Sequence, residues 1–402
     1  MATPQKEEGE ANMDFRLTEQ QRELQEAART FARAELPELA RDMEAKDYPV
    51  PDDMVRRYGE MGFLGVNLPE EYGGLGLGHV EALLVLEQFA CVSNAVAFPI
   101  FEALVGPVRT VALFGSDELK QRIIPQVVRG EATVAVSMSE PDAGTALTDL
   151  TTRARRDGDH YVLSGAKRWT SGAGHARYYV TYCRLGEGAG AKGIGALLVD
   201  KEMDGVSFGE REQLMGFRGI ETRDILFDEV RVPRKNLIVE AGGFGRLMSA
   251  FGLERCGNAT QSLGLAAAAL EQATQYTQER RAFGKPIVDF QAVQIKLAEM
   301  AMQVEAARLL IYRAAANAAH QENGLPSVYE SSIAKCYANE IVRSVTANGL
   351  QVMGGYGYHK EYGMEQRVRD GFAWGIAGGT TDVQKTNIAA AMVGRRFNQR
   401  GS

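Results

Sequence analysis

Apolar residues recur at intervals of three and four along the first 130 residues, which is the spacing of amphipathic helices. Thr18 and Gln21 have the spacing of a capping box, and Leu24, Ala27 and Phe31 continue the pattern on one helix face. Further helices are predicted at about 52–62, 80–91, 103–114 and 118–128, separated by the glycine-rich loop 73–78 and by a turn at Phe98-Pro99. The first part of the chain is therefore predicted to be all-α.

The pattern changes after Glu131 and changes again near Gly243. Between them lie short β-branched or aromatic runs bounded by turn residues, namely ATVAVSM, HYVLSG, ARYYVTYCR, IGALLVD, GVSFGE and DILFDEVRV. Helical periodicity then returns, with long segments at about 245–280, 287–322, 326–354 and 380–396. Several of these helices are apolar on more than one face, so we expect other helices to surround them.

This order divides the chain into four predicted parts. They are a disordered leader (1–13), an N-terminal α-helical domain (14–132), a middle β domain (133–238) and a C-terminal α-helical bundle domain (239–402).

Composition narrows the class of protein. The 402 residues carry 45 Lys and Arg against 52 Asp and Glu, a formal charge of −7, which argues against nucleic acid as the main partner. The four cysteines are widely separated and form no CxxC pair, so no disulfide framework or zinc knuckle is expected.

Residues 1–12 lack the features of a signal or transit peptide, and no uninterrupted apolar run reaches 18 residues. We therefore expect a cytoplasmic protein with no membrane partner.

Three common catalytic motifs give negative results. A G-x-G-x-x-G string at Gly188–Gly193 precedes a strand rather than a helix, so it predicts a hairpin loop and not a dinucleotide site. The five histidines show no metal-ligand spacing, and no G-x-S-x-G string is present. Neither a metal centre nor a serine nucleophile is expected.

Two strings in the β domain indicate a binding site for a flat ring. VSMSEPDAGT (136–145) is a turn that can present backbone N–H groups with the Ser139 and Thr145 hydroxyls, and Trp169-Thr170-Ser171 adds an indole beside further hydroxyls. A flat apolar face with a polar edge suits a heteroaromatic ring. From these residues alone, a plain β-turn with a core tryptophan remains the alternative.

Together with later strings, these residues amount to a family resemblance. EPDAGT, WTS, ERRAFGKPIVDFQAV (279–293), LAEMAMQVEAARLL (297–310), QVMGGYGY (351–358) and IAGGTTDVQ (376–384) resemble the successive signatures of the acyl-CoA dehydrogenase family, in order and spacing, from about Leu17 to Arg395. The resemblance implies an α+β fold with an N-terminal all-α domain, a middle β-barrel or sandwich and a C-terminal four-helix bundle. It further implies one FAD per subunit, a homotetramer built as a dimer of dimers, and an electron-transfer flavoprotein as the electron acceptor.

The resemblance also assigns cofactor residues. Those expected near the flavin ring are Met138, Ser139, Gly144, Thr145, Trp169, Thr170 and Ser171, with Thr380 and Asp382 also helping to hold the cofactor. Those expected to bind the FAD pyrophosphate and adenosine across a subunit interface are Arg280, Phe283, Gln291, Gln351, Gly354 and Gly355.

The catalytic base is expected at an unusual position. Much of the family carries its glutamate in a Y-E-G-T string, but Gly378 stands at that place here. Leu253-Glu254-Arg255 resembles the L-E-R string of the isovaleryl and long-chain type, which makes Glu254 the expected base, against the alternative of a surface glutamate in a Glu-Arg pattern. The Gly378 N–H is expected to bind the thioester carbonyl, and a Gly378→Glu substitution is expected to restore part of the rate when Glu254 is removed.

The implied activity is the dehydrogenation of an acyl-CoA thioester to the trans-2-enoyl-CoA. Substrate contacts are expected from Thr145, Phe251, Arg255 and Gly379, and a branched, cyclic or otherwise bulky acyl group is favoured. Two alternatives stay open: a diverged member such as a 3-sulfinoacyl-CoA desulfinase, and a non-catalytic subunit of a heteromeric dehydrogenase. An acyl-CoA oxidase is disfavoured because such enzymes are typically longer.

Overall fold

A computed structural model describes residues 15–395 and Phe397, and the predicted leader 1–13 lies outside them. Seven helices form the N-terminal region: α1 (Glu19–Glu35), α2 (Pro37–Lys46), α3 (Asp52–Glu60), α4 (His79–Val92), α5 (Asn94–Leu104), α6 (Pro107–Phe114) and α7 (Asp117–Val128). The predicted capping box is confirmed: the Gln21 backbone N donates to Thr18 Oγ1 at 3.2 Å, and the Thr18 N donates to Gln21 Oε1 at 3.0 Å.

Two local predictions in this region are wrong. Pro99 lies inside α5 rather than in a turn, and the helix expected at 103–114 is interrupted at Val105-Gly106. A proline inside a helix costs about 3 kcal/mol or more. Nearly every residue of α5 is buried, so the apolar surface that the helix removes from water offsets that cost.

The middle region is a single eight-stranded sheet. Its strands are β1 (Val134–Ser137), β2 (Arg153–Asp157), β3 (His160–Ser171), β4 (Tyr178–Arg184), β5 (Ile194–Asp200), β6 (Val206–Phe208), β7 (Thr222–Pro233) and β8 (Leu237–Val239). They run in the order β6-β7-β3-β2-β4-β5-β8, with β1 parallel to β4. The Gly188–Gly193 string lies between the antiparallel strands β4 and β5, so the predicted hairpin is confirmed.

The C-terminal region is helical. Its elements are α8 (Phe244–Glu279), a short hairpin of β9 (Arg281–Ala282) and β10 (Lys285–Pro286), α9 (Gln291–Ala316), α10 (Val328–Met353), α11 (Gly355–Tyr358), α12 (Met364–Asp370) and α13 (Thr381–Val393). Helix α10 packs against α8, α9 and α13, and α4 of the N-terminal region packs on α8. This packing buries α8 on several faces, as its apolar pattern predicts.

The observed order of helices, sheet and helices confirms the predicted fold class. One continuous core runs through both helical regions and reaches the sheet, and a smaller core lies within the sheet region. Among the described residues, one stretch, Asn94–Phe114, is long and apolar enough to cross a membrane, but 78% of its most apolar window is buried inside the protein. Burial to that extent is typical of core helices.

Candidate active site

A cavity of about 1490 Å³ lies where the three regions meet. Its wall is formed by α5, the loop after β1, the end of β3, the first turns of α8 and the loop before α13. The cavity is lined by thirteen of the residues predicted for the site: Met138, Ser139, Gly144, Thr145, Trp169, Thr170, Ser171, Phe251, Glu254, Arg255, Gly378, Gly379 and Thr380. The chain therefore assembles the predicted ring-binding, substrate and base positions in one place.

A buried ion pair fixes the loop that carries Met138 and Ser139. Lys167 Nζ donates to Glu140 Oε1 at 2.8 Å and to the Met138 carbonyl at 3.0 Å. Glu140 also accepts from the backbone N–H groups of Thr151 and Thr152. Burial alone would raise the pKa of Glu140, but the Lys167 ammonium and these donors lower it to about 2. Sequence reasoning missed both residues, although the Glu in SEPDAGT and the Lys before RWTS were visible signals.

Trp169 has an unusual backbone conformation. Its φ of 59° lies in the left-handed region, and its side chain is 53% exposed although it lines the cavity. The Arg168 guanidinium lies 4.2 Å from the centre of the indole ring and is itself paired with Glu212 and Asp224. Strained residues of this kind cluster at functional sites, and this one lies in the cavity wall.

Glu254 is a buried carboxylic acid in the cavity wall. It is 9% exposed, and among the described residues neither of its carboxyl oxygens has a hydrogen-bond partner. Burial raises the pKa of Glu254 to about 7, against the opposing effect of the Lys335 and Arg255 charges. The alternative of a solvated surface glutamate is therefore wrong. An acid with a pKa near neutrality is suited to general-base chemistry.

Arg255, the next residue, is also buried and incompletely paired. Its Nε and Nη1 atoms have no hydrogen-bond partner among the described residues. Burial lowers its pKa. Two orphaned guanidinium donors at the cavity fit the predicted contact with a polar part of the substrate.

Hydrogen bonds from the Lys335 ammonium group hold the loop at Gly378. The Lys335 ammonium donates to the carbonyls of Ala377, Gly378 and Gly379, the last two at 2.9 Å. The Gly378 N–H has no acceptor among the described residues, so it is available to a ligand in the cavity. This is the arrangement expected for an amide that binds a thioester carbonyl.

The remaining predicted cofactor residues lie outside the large cavity. A second depression of about 500 Å³ is lined by Arg280, Gly354 and Gly355, together with Tyr276, Tyr356 and other residues at the far end of α8. Phe283 is 95% exposed, and Gln291 and Gln351 are exposed on the same part of the bundle. Asp382 is an exposed residue in the first turn of α13 and lines neither cavity. The Thr380 hydroxyl caps α13 by accepting from the Val383 N–H at 3.3 Å.

No group of three or more His, Cys, Asp or Glu side chains that could hold a metal ion exists among the described residues. The large cavity combines an exposed indole with a buried carboxylic acid.

Comparison with known proteins gives the family. Residues 18–131, 135–230 and 241–393 match the families described as Acyl-CoA dehydrogenase, N-terminal domain, middle domain and C-terminal domain. The chain belongs to the acyl-CoA dehydrogenase family, and it is an FAD-dependent oxidoreductase that acts on acyl-CoA.

Three relatives illustrate the range of this family. The chain is 35% identical to 3-sulfinopropanoyl-CoA desulfinase of Paraburkholderia xenovorans, over 96% of this chain and 100% of the relative. It is 34% identical to the Caffeyl-CoA reductase-Etf complex subunit CarC of Acetobacterium woodii, over 94% and 99%. The solved structure of butyryl-CoA dehydrogenase from Megasphaera elsdenii superposes with a TM-score of 0.90 at 31% identity, covering 95% of this chain and 100% of that one.

The residues of the large cavity fit a flavin ring. The Thr170 hydroxyl is buried without a hydrogen-bond partner among the described residues, which leaves a polar group for a bound ligand. A Cβ added at Gly144 would meet nothing within 4 Å, so space is open above the loop. Bound FAD supplies the hydride acceptor that the protein's own side chains lack.

Proposed function

We propose that this protein removes the α and β hydrogens of an acyl-CoA thioester, with Glu254 as the base, and passes the electrons to an electron-transfer flavoprotein. The observation that supports this most directly is the unpaired carboxyl of Glu254, with a pKa raised to about 7, in the same cavity as the free Gly378 N–H. The similarity to a subunit of a reductase-Etf complex supports the electron partner.

The protein's residues perform the proton transfer in two steps. The Gly378 N–H donates to the thioester carbonyl and stabilises negative charge on that oxygen, which makes the α-hydrogen more acidic. Glu254 in its ionised form then accepts the α-proton. The apolar surroundings of the acid exclude water and hold its pKa near neutrality, so the deprotonated form is populated under ordinary conditions.

The substrate is expected to carry a bulky acyl group. Ala377 and Gly378 both line the cavity and have little or no side chain, which leaves space for a bulky acyl group. Phe101, Phe217 and Trp374 supply a broad apolar wall, with ring centres 5.1 Å apart in both the Phe101–Trp374 and Phe217–Trp374 pairs. Branched or alicyclic thioesters suit this wall better than long linear ones.

The protein is also proposed to act as a homotetramer with FAD bound across a subunit interface. Arg280 directly follows the end of α8, 26 positions beyond Glu254. At about 1.5 Å per residue, a straight helix separates them by about 39 Å. A dinucleotide with its ring in the large cavity would have to span a comparable distance to reach the Arg280 depression of the same chain, which favours adenosine contacts from a second copy.

A 3-sulfinoacyl-CoA desulfinase is the second candidate. It is supported by the similarity to the Paraburkholderia desulfinase and by the glycine at position 378, which removes the carboxylate used in much of the family. The unpaired acid at Glu254 favours dehydrogenation over this candidate, because abstraction of an α-proton requires a base.

One experiment separates these functions and the non-catalytic subunit. The purified flavoprotein is mixed anaerobically with straight-chain, branched, alicyclic and 3-sulfino acyl-CoA thioesters, while flavin absorbance and sulfite release are followed. Bleaching by a branched or alicyclic thioester supports the dehydrogenase. Sulfite release without lasting bleaching supports the desulfinase. A flavin that no thioester bleaches, with activity only beside another subunit, contradicts both. A clear optimum for long linear chains would overturn the proposed acyl group.

A further inference from the structure

The large cavity contains a second carboxylic acid to which the proposed function gives no role. Glu102 lies on α5, one residue beyond Phe101, and it is 6% exposed. Phe98, Phe101 and Glu102 have the three-and-four spacing of one helix face, and all three line the cavity. An acidic side chain therefore interrupts an otherwise aromatic wall.

Glu102 is held close to the end of β3. Its Oε1 lies 3.1 Å from the position that a Cβ on Gly172 would take, and Gly172 follows the cavity residue Ser171 directly. The φ of Gly172 is +81°, a conformation that favours glycine, so this close approach of carboxyl and backbone depends on the absence of a side chain. The carboxyl is thus placed beside the predicted ring-binding segment.

This acid has no hydrogen-bond or ion-pair partner among the described residues. Three other charged side chains of the wall are paired: Glu140 with Lys167, Arg168 with Glu212 and Asp224, and Arg369 with Glu44 and Glu365. Glu254 and Arg255, described above, are the other unpaired ones. Burial raises the pKa of Glu102 well above its usual range, and no neighbouring cation opposes the effect. Burial therefore favours the neutral carboxylic acid, which has one O–H donor and one carbonyl acceptor.

We propose that Glu102 determines substrate specificity by forming a hydrogen bond with an uncharged polar substituent, a hydroxyl or a ketone, on the acyl chain. A buried polar group without a partner destabilises a protein unless a ligand satisfies it. A site built to bond a substrate hydroxyl strongly rejects the analogue that lacks it. This inference rests on the proposed acyl-CoA chemistry and adds the class of acyl group.

Charged substituents are disfavoured by the same surroundings. An ammonium group would have to ionise Glu102 in a wall of aromatic rings. A terminal carboxylate beside Glu102 would add a second acid at a point where no cation acts on Glu102, since the unpaired Arg255 of the same cavity does not affect the pKa of Glu102. The uncharged hydroxyl or ketone is the substituent whose burial costs least.

The test uses pairs of acyl-CoA thioesters, from propanoyl to octanoyl length, in which the two members differ only in a terminal methyl or hydroxyl group. Two thioesters with a charged end, glutaryl-CoA and ω-aminopentanoyl-CoA, are tested beside them as the charged arms. Flavin reduction is measured anaerobically for the wild type, Glu102→Leu and Glu102→Gln, with the exposed Glu118→Leu as the matched control. Wild type, Glu118→Leu and Glu102→Gln should prefer the hydroxyl member of at least one pair by about tenfold or more. Glu102→Leu should lose or reverse that preference.

Two further measurements keep the outcomes distinct. Equilibrium binding of the matching S-alkyl-CoA thioethers, which cannot be dehydrogenated, reports the preference even if no thioester reduces the flavin; failure of reduction alone would count against the proposed function. Thermal unfolding of Glu102→Leu should occur at the wild-type temperature or higher, because an unpaired buried acid is removed. Four results would each overturn the inference. The wild type could use both members of every pair equally, or Glu102→Leu could keep the wild-type preference. The wild type could prefer a thioester with a charged end, or Glu102→Leu could show a marked loss of thermal stability.

Discussion

Lys335 on α10 donates a hydrogen bond to the carbonyl of Gly378 at 2.9 Å, and its charge also acts on Glu254. Burial lowers the pKa of Lys335 to about 7, while three carbonyl acceptors, one for each N–H of an ammonium, favour the protonated form. One side chain thus orients the Gly378 amide and lowers the pKa of the acid proposed as the base.

Replacing this lysine should change the pH dependence of the reaction. In Lys335→Met the carboxylate of Glu254 loses a nearby positive charge, so the midpoint at which flavin reduction rises with pH should move above its wild-type value of about 7. Stopped-flow reduction between pH 6 and about 9 measures the shift. Lys385→Met, at an exposed lysine of α13, is the matched control and should leave the midpoint unchanged. Equal midpoints in the wild type and Lys335→Met would show that Lys335 does not act on the base.

Restoring a carboxylate at position 378 should fail, contrary to the expectation drawn from the sequence. Gly378 has φ +63°, and a Cβ there would lie 3.0 Å from Asn258 Oδ1 and 3.2 Å from Lys335 Nζ. The side chain would strain the loop by about 1–3 kcal/mol. We expect Gly378→Glu to lower the unfolding temperature and to give no recovery of flavin reduction in a Glu254→Gln background. Recovery of even a tenth of the wild-type rate would show that the loop can rearrange.

The Glu140–Lys167 pair should be essential for holding the loop that carries Met138 and Ser139. Both side chains are almost fully buried, so removing one partner leaves an uncompensated charge, at a cost of about 3–5 kcal/mol. Urea unfolding of Lys167→Met should show this loss, together with release of FAD. Asp157→Asn removes an exposed pair with Arg231 and should cost less than about 1 kcal/mol. Similar costs for the two variants would contradict the structural role.

The same pair predicts that the folded protein loses stability in acid. Because the folded-state pKa of Glu140 is lowered to about 2 from an ordinary value of 4.5, its stabilising contribution is complete above pH 4.5 and is lost as pH falls toward 2. Glu140→Gln should therefore remove a stability difference that the wild type shows between about pH 5 and pH 3. Unfolding free energies measured by denaturant titration across this range test the sign.

The sequence predicted more of the fold than of the site. Helical periodicity and strand runs located the three regions, because buried positions recur at regular intervals along each helix and strand. Pro99 was misread as a turn because the residue alone does not show that α5 is surrounded by other elements. Helices α2 and α12 were missed because both are short and largely polar.

The site was predicted where a local string carries the chemistry and missed where distant residues meet. Motif strings located Trp169, Glu254 and Gly378, and the structure brings all three to one cavity. Lys335 and Glu102 lie in ordinary helical patterns, and only packing places them against the Gly378 loop and the cavity. Lys167 lies directly before the RWTS string, but only its pairing with Glu140 distinguishes it from a surface lysine of its strand.

The central claim is that Glu254 is the base, and its replacement by glutamine tests this most directly. Glu254→Gln keeps the size of the side chain but cannot accept a proton. We expect the variant to remain yellow, to bind acyl-CoA, and to lose about two orders of magnitude or more in the anaerobic rate of flavin reduction. Glu271→Gln, at an exposed glutamate of the same helix, should retain the wild-type rate. A wild-type rate in Glu254→Gln, with flavin and substrate bound, would contradict the assignment and favour the desulfinase or the non-catalytic subunit.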